Sequence, residues 1–488
     1  MSKKLAVFAI CLAGLCAKAM AQDAKTVIAN AQKALGDVKS ITYSGSAKDV
    51  AFQQCGSNAA DMNCRGTHDP MRPINNYIRV IDLISPASRA TGATNNPAGG
   101  GATQPMPGTF FQGITAQQVD VAQPWGNSLE FYITPWGFLK GAAANNATAS
   151  KKKVDGKNYT VLTWSPTVKA ASGKSYVING YVDEKNMVDR VETWLGENIM
   201  GDMHIVATYT GWKDFGGVMA PTKIVQTRGG WPFFEVDVMA AKANPPDVAT
   251  LVPAPAGGRA GGGGGGGAPA PLVVTSEKLG DGLYRLTTGP GSYDSVIVEF
   301  KDYIMMLEAG QSIARGEAYV AATKKLIPNK PIRYVMNTHP HSDHTGGLPV
   351  LVAEGATIIT QKNNEDFLEK ALNTPRTLLD DPLAKNPKKA KIEAVGEKKV
   401  YSDGTRTVEF YHVSPVPHSN GLMIAYIPKE KILFQGDFSV TPGQPANDHV
   451  KALVPILEKL NLDFDRYINV HTSAAPQTKA DVWKAVGK

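Results

Sequence analysis

The hardest constraint in this chain is an apolar run that ends abruptly in imidazoles and carboxylates. Residues 332–347 read IRYVMNTHPHSDHTGG. Ile332, Tyr334, Val335 and Met336 give the start of a buried strand, and His339, His341, Asp343 and His344 follow on one short loop. A strand that delivers four potential metal ligands to one end fixes both a sheet and a site at its edge. Imidazoles two residues apart can turn toward one ion, while Asp343 and His344 can reach a second beside it. Gly346 and Gly347 are read as letting the backbone turn away without steric cost. The chain has nine histidines, and three of them fall within these six positions, which argues against a chance polar loop.

Polar residues placed directly after later apolar runs supply the rest of a two-metal site. The strand expected over 408–413 leads to His418, the one over 432–434 leads through Gly436 to Asp437, and the one over 467–470 delivers His471. Each candidate sits at the carboxyl end of an expected strand, the edge where loops can converge. His412 lies inside its strand and is a weaker alternative to His418. His449, in a polar loop, is open to a substrate contact and is not counted as a ligand.

The pattern H-x-H-x-D-H resembles the signature of the metallo-β-lactamase superfamily, and the resemblance runs from about Val273 to the C-terminus. It implies a mixed α/β (α+β) class with a C-terminal αββα sandwich. It also implies that His339, His341 and His418 hold one ion, that Asp343, His344 and His471 hold the other, and that Asp437 bridges them. Such ligands suit zinc, here two ions per chain, and iron and manganese accept the same ligand types. Pro417 and Val470 stand where members commonly carry glycine before the third and last histidines. Glu308 replaces an aspartate at the end of an early strand, where it can still support a ligand from behind.

The resemblance further implies a metal-dependent hydrolase. Two zinc ions share a water, lower its pKa toward about 7 and so make a hydroxide nucleophile, with Asp343 orienting it as well as binding metal. Asp437 resembles the bridging aspartate of lactonases, thioester hydrolases and phosphodiesterases, which favours a small-molecule ester, lactone or related acyl bond. A β-lactam-hydrolysing enzyme is the runner-up. A persulfide dioxygenase-like enzyme with one iron, and an envelope binding protein with an inactive metal domain, are further alternatives. Flavodiiron proteins fit less well, since they carry a glutamate where His341 stands.

A chain of 488 residues exceeds one ordinary core. The expected organisation is a signal peptide over 1–21, a β-rich domain over 22–250, a flexible linker over 251–271 and the metal-binding domain over 272–488. Lys3 and Lys4, an apolar core over 5–15 and Ala19-Met20-Ala21 are the marks of the signal, which places the protein in the periplasm or outside the cell. Its removal takes away Cys11 and Cys16 and leaves Cys55 and Cys64 as a disulfide pair in an oxidising compartment. The formal charge of +7 becomes +4 once Lys3, Lys4 and Lys18 are gone. That modest charge gives no sign of nucleic-acid binding. No later stretch approaches the ~20 apolar residues that a membrane span needs. The seven consecutive glycines from Gly261, flanked by Pro-Ala segments, cannot pack a core and read as a tether.

Before the tether, Val27, Ile28, Ala31 and Leu35 fall at helical spacing, so a helix is expected over 23–35. Residues 57–107 read as loops around one strand, 77–83. Strand signals are dense between Leu129 and Met239, at 159–164, 176–182, 188–195, 204–212 and 223–227, with a hairpin through Gly229-Gly230 to 233–239. A mainly antiparallel sheet over one helix follows, and the order of elements is similar to the half-barrels of periplasmic lipoprotein carriers. Trp125, Phe131, Tyr132, Trp136 and Phe138 are expected to pack against that sheet. His68 and His204 are isolated, and this half carries no catalytic constellation.

Overall fold

The structure, a computed structural model, describes residues 24–49, 72–95, 103–105, 117–118, 125–252, 272–289, 293–416, 418–441, 443–471 and 475–488. The expected signal peptide, Cys55 and Cys64, and linker residues 253–271 lie outside the described residues. Of the described residues, those before the linker form one compact unit, and those after it, together with 197–201, form another.

The first unit opens with the expected helix, over 24–35, which buries Ala24, Ile28, Ala31 and Leu35 along one face. A twelve-stranded sheet follows. Within it Ser40–Asp49 pairs antiparallel with Arg72–Asp82 on one side and with Trp231–Ala243 on the other. Two expectations are corrected here. The region 57–107 holds not one strand but Arg72–Asp82, Ala87–Asn95 and Thr103–Pro105. Ala87–Asn95 reads ASRATGATN, with no large apolar side chain to alternate, so its backbone pairing to Arg72–Asp82 carries it instead. The second correction concerns the single helix expected in this half: the aromatic segment is helical too, over Trp125–Tyr132 and Pro135–Ala144. Thr134 caps the second of these, its hydroxyl accepting from the Gly137 N–H at 3.1 Å, and Pro135 opens it. That cap and proline are a start signal that the aromatic density obscured. The packing itself is as expected. Trp136 lies 6.1 Å from Tyr43 and Phe138 lies 6.2 Å from Trp164 between ring centroids, and Trp125 and Phe131 are buried as well.

The second unit is a sandwich of two sheets. The seven-stranded sheet runs Thr275–Gly280, Leu283–Thr287, Ser295–Glu299 and Ile304–Leu307, then Ile332–Met336, Thr357–Gln361 and Lys391–Val395. Its first four strands are antiparallel, and from Ile304–Leu307 onward the pairing is parallel. Between Thr275–Gly280 and Leu283–Thr287, Asp281 and Gly282 make a tight hairpin, with Gly282 at φ +64°. The five-stranded sheet runs Lys398–Ser402, Thr407–His412, Met423–Ile427, Ile432–Gln435 and Arg466–Asn469, the last pair parallel.

Val296, Val298, Met305, Leu307 and Met336 of the first sheet meet Phe410, Met423, Ala425, Phe434 and Ile468 of the second in one buried core. The outer face of the second sheet is covered by Val450, Leu453, Val454 and Leu457 of the helix Asp448–Leu460. Strands covered on both faces need apolar residues at every position. Ile304–Leu307 and Met423–Ile427 are accordingly buried throughout, with no alternation.

Candidate metal centre

Parallel pairing decides where the site lies. Gln435 is in register with Asn469, so Asp437 and His471, two residues beyond each, leave the second sheet at the same edge. Leu307 is in register with Met336, which brings Glu308 beside the start of the histidine loop. Between Met336 and the helical turn Ser342–Thr345 the backbone is tied down on both sides. The Asn337 amide donates to the His344 carbonyl at 3.1 Å, and the Thr345 hydroxyl donates to the His341 carbonyl at 3.0 Å.

The seven sequence candidates come together in two groups. His339, His341, His418 and Asp437 form one, and Asp343, His344 and His471 form the other, with ligand atoms inside each group within 4.8 Å of one another. In the first, His339 Nε2 lies 2.9 Å from His341 Nδ1 and 3.0 Å from His418 Nε2. In the second, His344 Nε2 lies 3.1 Å from His471 Nε2, and Asp343 Oδ2 lies 3.7 and 3.6 Å from those two atoms. Asp437 stands between the groups. Its Oδ2 is 2.5 Å from His418 Nε2 and 3.3 Å from His339 Nε2, and its Oδ1 is 2.5 Å from His471 Nε2 and 2.9 Å from His344 Nε2.

Five imidazole nitrogens converging on carboxylates make a donor set for cations. Asp437 Oδ1 is buried and faces the Nε2 atoms of His471 at 2.5 Å and of His344 at 2.9 Å. If His344 Nδ1 donates to Glu308, its Nε2 turns a lone pair toward that oxygen, and only a cation or a proton between them stabilises the arrangement. Burial, then the neighbouring His344, lowers His339 to about 3, and burial, then His339, lowers His341 well below the usual imidazole value. Both therefore offer free lone pairs at neutral pH. Burial opposes charge on His344 as well, but Asp437 and Glu308 outweigh it and hold its proton well above the usual range. Asp437 is held well below the carboxylate range, since His344 and His339 outweigh its burial.

His412 lies apart from the cluster. Its Nε2 faces the Asn420 carbonyl at 2.8 Å and its Nδ1 faces Glu397 at 3.1 Å. The His449 ring lies 4.8 Å from that of His418 at an interplanar angle of 56°, at the margin of the site. Glu308 occupies the supporting position expected for it: Oε1 accepts the Thr338 N–H at 2.6 Å, and Oε2 lies 3.3 Å from His344 Nδ1. It does so at φ +69°, a conformation costing on the order of 1–3 kcal/mol for a residue with a side chain.

The supporting residues beyond Glu308 were not read from the sequence. Thr338 Oγ1 lies 3.1 Å from His339 Nδ1 and leaves Nε2 for the site. Asn469 Oδ1 accepts the His471 N–H at 2.6 Å, and Gln435, which accepts from Asn469 at 3.1 Å, also accepts the Phe438 N–H at 2.8 Å. The available signal was a buried amide residue two places before three of the ligands: Asn337 before His339, Gln435 before Asp437 and Asn469 before His471. Tyr293 was missed too. Its ring lies 4.6 Å from the His471 ring, and burial, then Asp343, pushes its hydroxyl up to about 12, so it keeps its proton at neutral pH.

The role read for Gly346 and Gly347 is corrected. Their φ values are −57° and −90°, ordinary for any residue. What demands glycine is space: a Cβ would stand 2.0 Å from the Gln311 carbonyl oxygen at Gly346 and 2.0 Å from the Ala309 oxygen at Gly347. Gly347→Ala is expected to destabilise the unit by about 1–3 kcal/mol, the usual cost of overpacking. Urea unfolding of metal-free protein measures this, and an unchanged midpoint would show that the loop has room.

Residues 288–481 match the model of the Metallo-beta-lactamase superfamily. Among solved structures, the chain is similar to a metallo-beta-lactamase from Pontibacter korlensis at 15% identity, covering 44% of this chain and 98% of that one, with a TM-score of 0.34. It is similar to a metallo beta lactamase from Hirschia baltica at 21% identity, covering 43% and 95%, with a TM-score of 0.33. The flavodiiron protein from Giardia intestinalis matches at 18% identity, covering 44% and 59%, with a TM-score of 0.34. With the motif, the two-sheet sandwich and the family match on the same residues, the C-terminal part of this chain is a metallo-β-lactamase superfamily domain.

Proposed function

We propose that the C-terminal domain is a two-zinc hydrolase of an ester, lactone or related acyl bond in a small molecule, in a protein exported by its leader. The observation that carries this reading is Asp437, which turns one carboxylate oxygen to His339 and His418 and the other to His344 and His471. A single buried carboxylate so placed can serve two ions at once. It resembles the bridging aspartate of lactonases and thioester hydrolases, which favours an acyl bond over a β-lactam.

Zinc bound by these residues would polarise the acyl carbonyl and make a water acidic enough to lose its proton near pH ~7. The chain's own contribution is placement. His339 and His344 form a fully buried floor, while the side chains of Asp343 and His471 are 19% and 27% exposed, so substrate approaches from their side. Asp343 accepts a hydrogen bond from the attacking water and holds it in line with the carbonyl. Thr338 and Glu308 fix the rings of His339 and His344 from behind, which spares the site reorganisation during the reaction.

The test is metal analysis of the purified protein, followed on the same sample by turnover of a lactone, an aryl ester, a phosphodiester and a chromogenic β-lactam. Two zinc per chain with chelator-sensitive lactone or ester hydrolysis is expected, and Asp343→Ala should abolish it. Turnover of the β-lactam alone would move the assignment to a β-lactamase. One iron with no hydrolysis would move it to sulfur oxidation, and no tightly held metal would leave a binding protein.

A further inference from the structure

Among the described residues of the C-terminal unit, Arg285, Arg315, Arg376 and Arg406 are buried, and all but one face a carboxylate. Arg285 meets Asp294 at 2.5 Å, Arg406 meets Glu430 at 3.0 Å, and Arg376 meets Asp381. Arg315, 9% exposed, has no carboxylate partner among those residues. Its Nη1 donates to Gln311 Oε1 at 2.8 Å, and its Nε is buried with no hydrogen-bond partner there. The preceding loop makes room for this side chain: at Gly310, φ +82°, a Cβ would stand 2.9 Å from Arg315 Cγ. The guanidinium carbon lies 5.4 Å from the centroid of the Tyr293 ring, and that ring lies 4.6 Å from the ring of His471. Tyr293 is half-buried and Gln311 is exposed, so the guanidinium lies just under the surface, one ring away from the most exposed of the seven clustered side chains.

We propose that Arg315 binds a carboxylate of the substrate, so that the acyl compound hydrolysed at the metal centre is an anion rather than a neutral ester or lactone. The inference rests on the hydrolase reading of that centre. The physical reason is charge balance. A guanidinium withdrawn from water without a counter-charge is strongly disfavoured. Asp294 and Glu430 supply that charge from within the chain to Arg285 and Arg406, whereas Arg315 takes it from the ligand. One carboxylate balances one guanidinium, and its two oxygens match a planar fork of donors that has a single neutral partner in Gln311. An anion anchored beside Tyr293 carries the rest of its molecule to the side on which Asp343 and His471 are exposed. This contact is present before and during the reaction alike, so it acts on KM.

Zinc-loaded wild type, Arg315→Met and Arg315→Lys would be assayed with a pair of nitrophenyl esters that differ by one charge: nitrophenyl hydrogen succinate and its neutral methyl ester. Wild type should favour the anionic ester in kcat/KM. Arg315→Met keeps an apolar stem without the charge, and it should raise KM for the anionic ester by about 10–100-fold more than for the neutral one, the range for a hydrogen bond to a charged group. Arg315→Lys restores the charge without the fork and should recover part of that loss. Equal losses for both esters, or a wild type indifferent to the charge, overturn the inference and leave the hydrolase reading intact. A wild type that hydrolyses neither of these esters nor a lactone overturns both. Should Arg315→Met fail to fold, Arg315→Lys carries the test: a weaker charge preference than wild type supports the inference, and an unchanged preference overturns it.

Discussion

Asp437→Ala is expected to empty both halves of the site and to cut turnover by about 10³-fold or more, at or beyond the upper end for removing one preorganised electrostatic group. The carboxylate is within 3.3 Å of four imidazole nitrogens, two in each group. Without it, two cations would face five neutral imidazoles and a single carboxylate, Asp343, which belongs to only one of the two groups. Buried charge without a counter-charge is strongly disfavoured. Asp437→Asn keeps the shape and one carbonyl oxygen but removes the charge, so it should retain one ion at reduced affinity. Elemental analysis of the two variants, with circular dichroism to verify the fold, decides the matter. Two zinc per chain in Asp437→Ala would remove the central premise of the two-ion reading.

Acidification is expected to empty the two halves at different pH. Asp437 and Glu308 hold the His344 proton well above the usual value, so in metal-free protein near neutrality that proton occupies the place of the ion. Zinc must displace it. Affinity in the Asp343, His344 and His471 group should therefore fall about tenfold for each unit that pH drops below the raised His344 value. His339, lowered to about 3, and His341, lowered further from its usual range, carry no proton to displace near neutrality, so their ion should persist to lower pH. In metal-free protein the linkage has the opposite sense. A raised His344 adds stability that is complete below about pH 6.5, the unfolded value, and fades as pH climbs through the raised one. Zinc content after dialysis at a series of pH values, with proton release on adding zinc to weakly buffered metal-free protein, checks the prediction. Simultaneous loss of both ions with no proton release near neutrality would count against it.

The C-terminal domain was legible because its signals are local and redundant. Strands buried on both faces appear as short apolar runs, and Met336, Gln435 and Asn469 each precede a ligand by two or three residues. A strand-then-ligand rule therefore picked out the seven side chains that cluster and ranked His412 below His418; the strand position of His412 directs it to Asn420 and Glu397. The N-terminal half was less legible. Ala87–Asn95 forms a strand without apolar alternation, and the Thr134-Pro135 helix start lies inside an aromatic-rich stretch that reads equally as strand. In both, pairing and packing partners distant in sequence overrode a weak local preference.

The sequence by itself determined which groups can do chemistry: five histidines and two aspartates at strand ends, with a family signature in the first loop. Only the tertiary structure decided how they share the work. That Asp437 divides its two oxygens between the groups follows from the parallel register of Ile432–Gln435 with Arg466–Asn469. That Gly346 and Gly347 serve close approach follows from the carbonyls of Ala309 and Gln311. Such contacts depend on distances between residues remote in the chain, and spacing along the chain does not encode them.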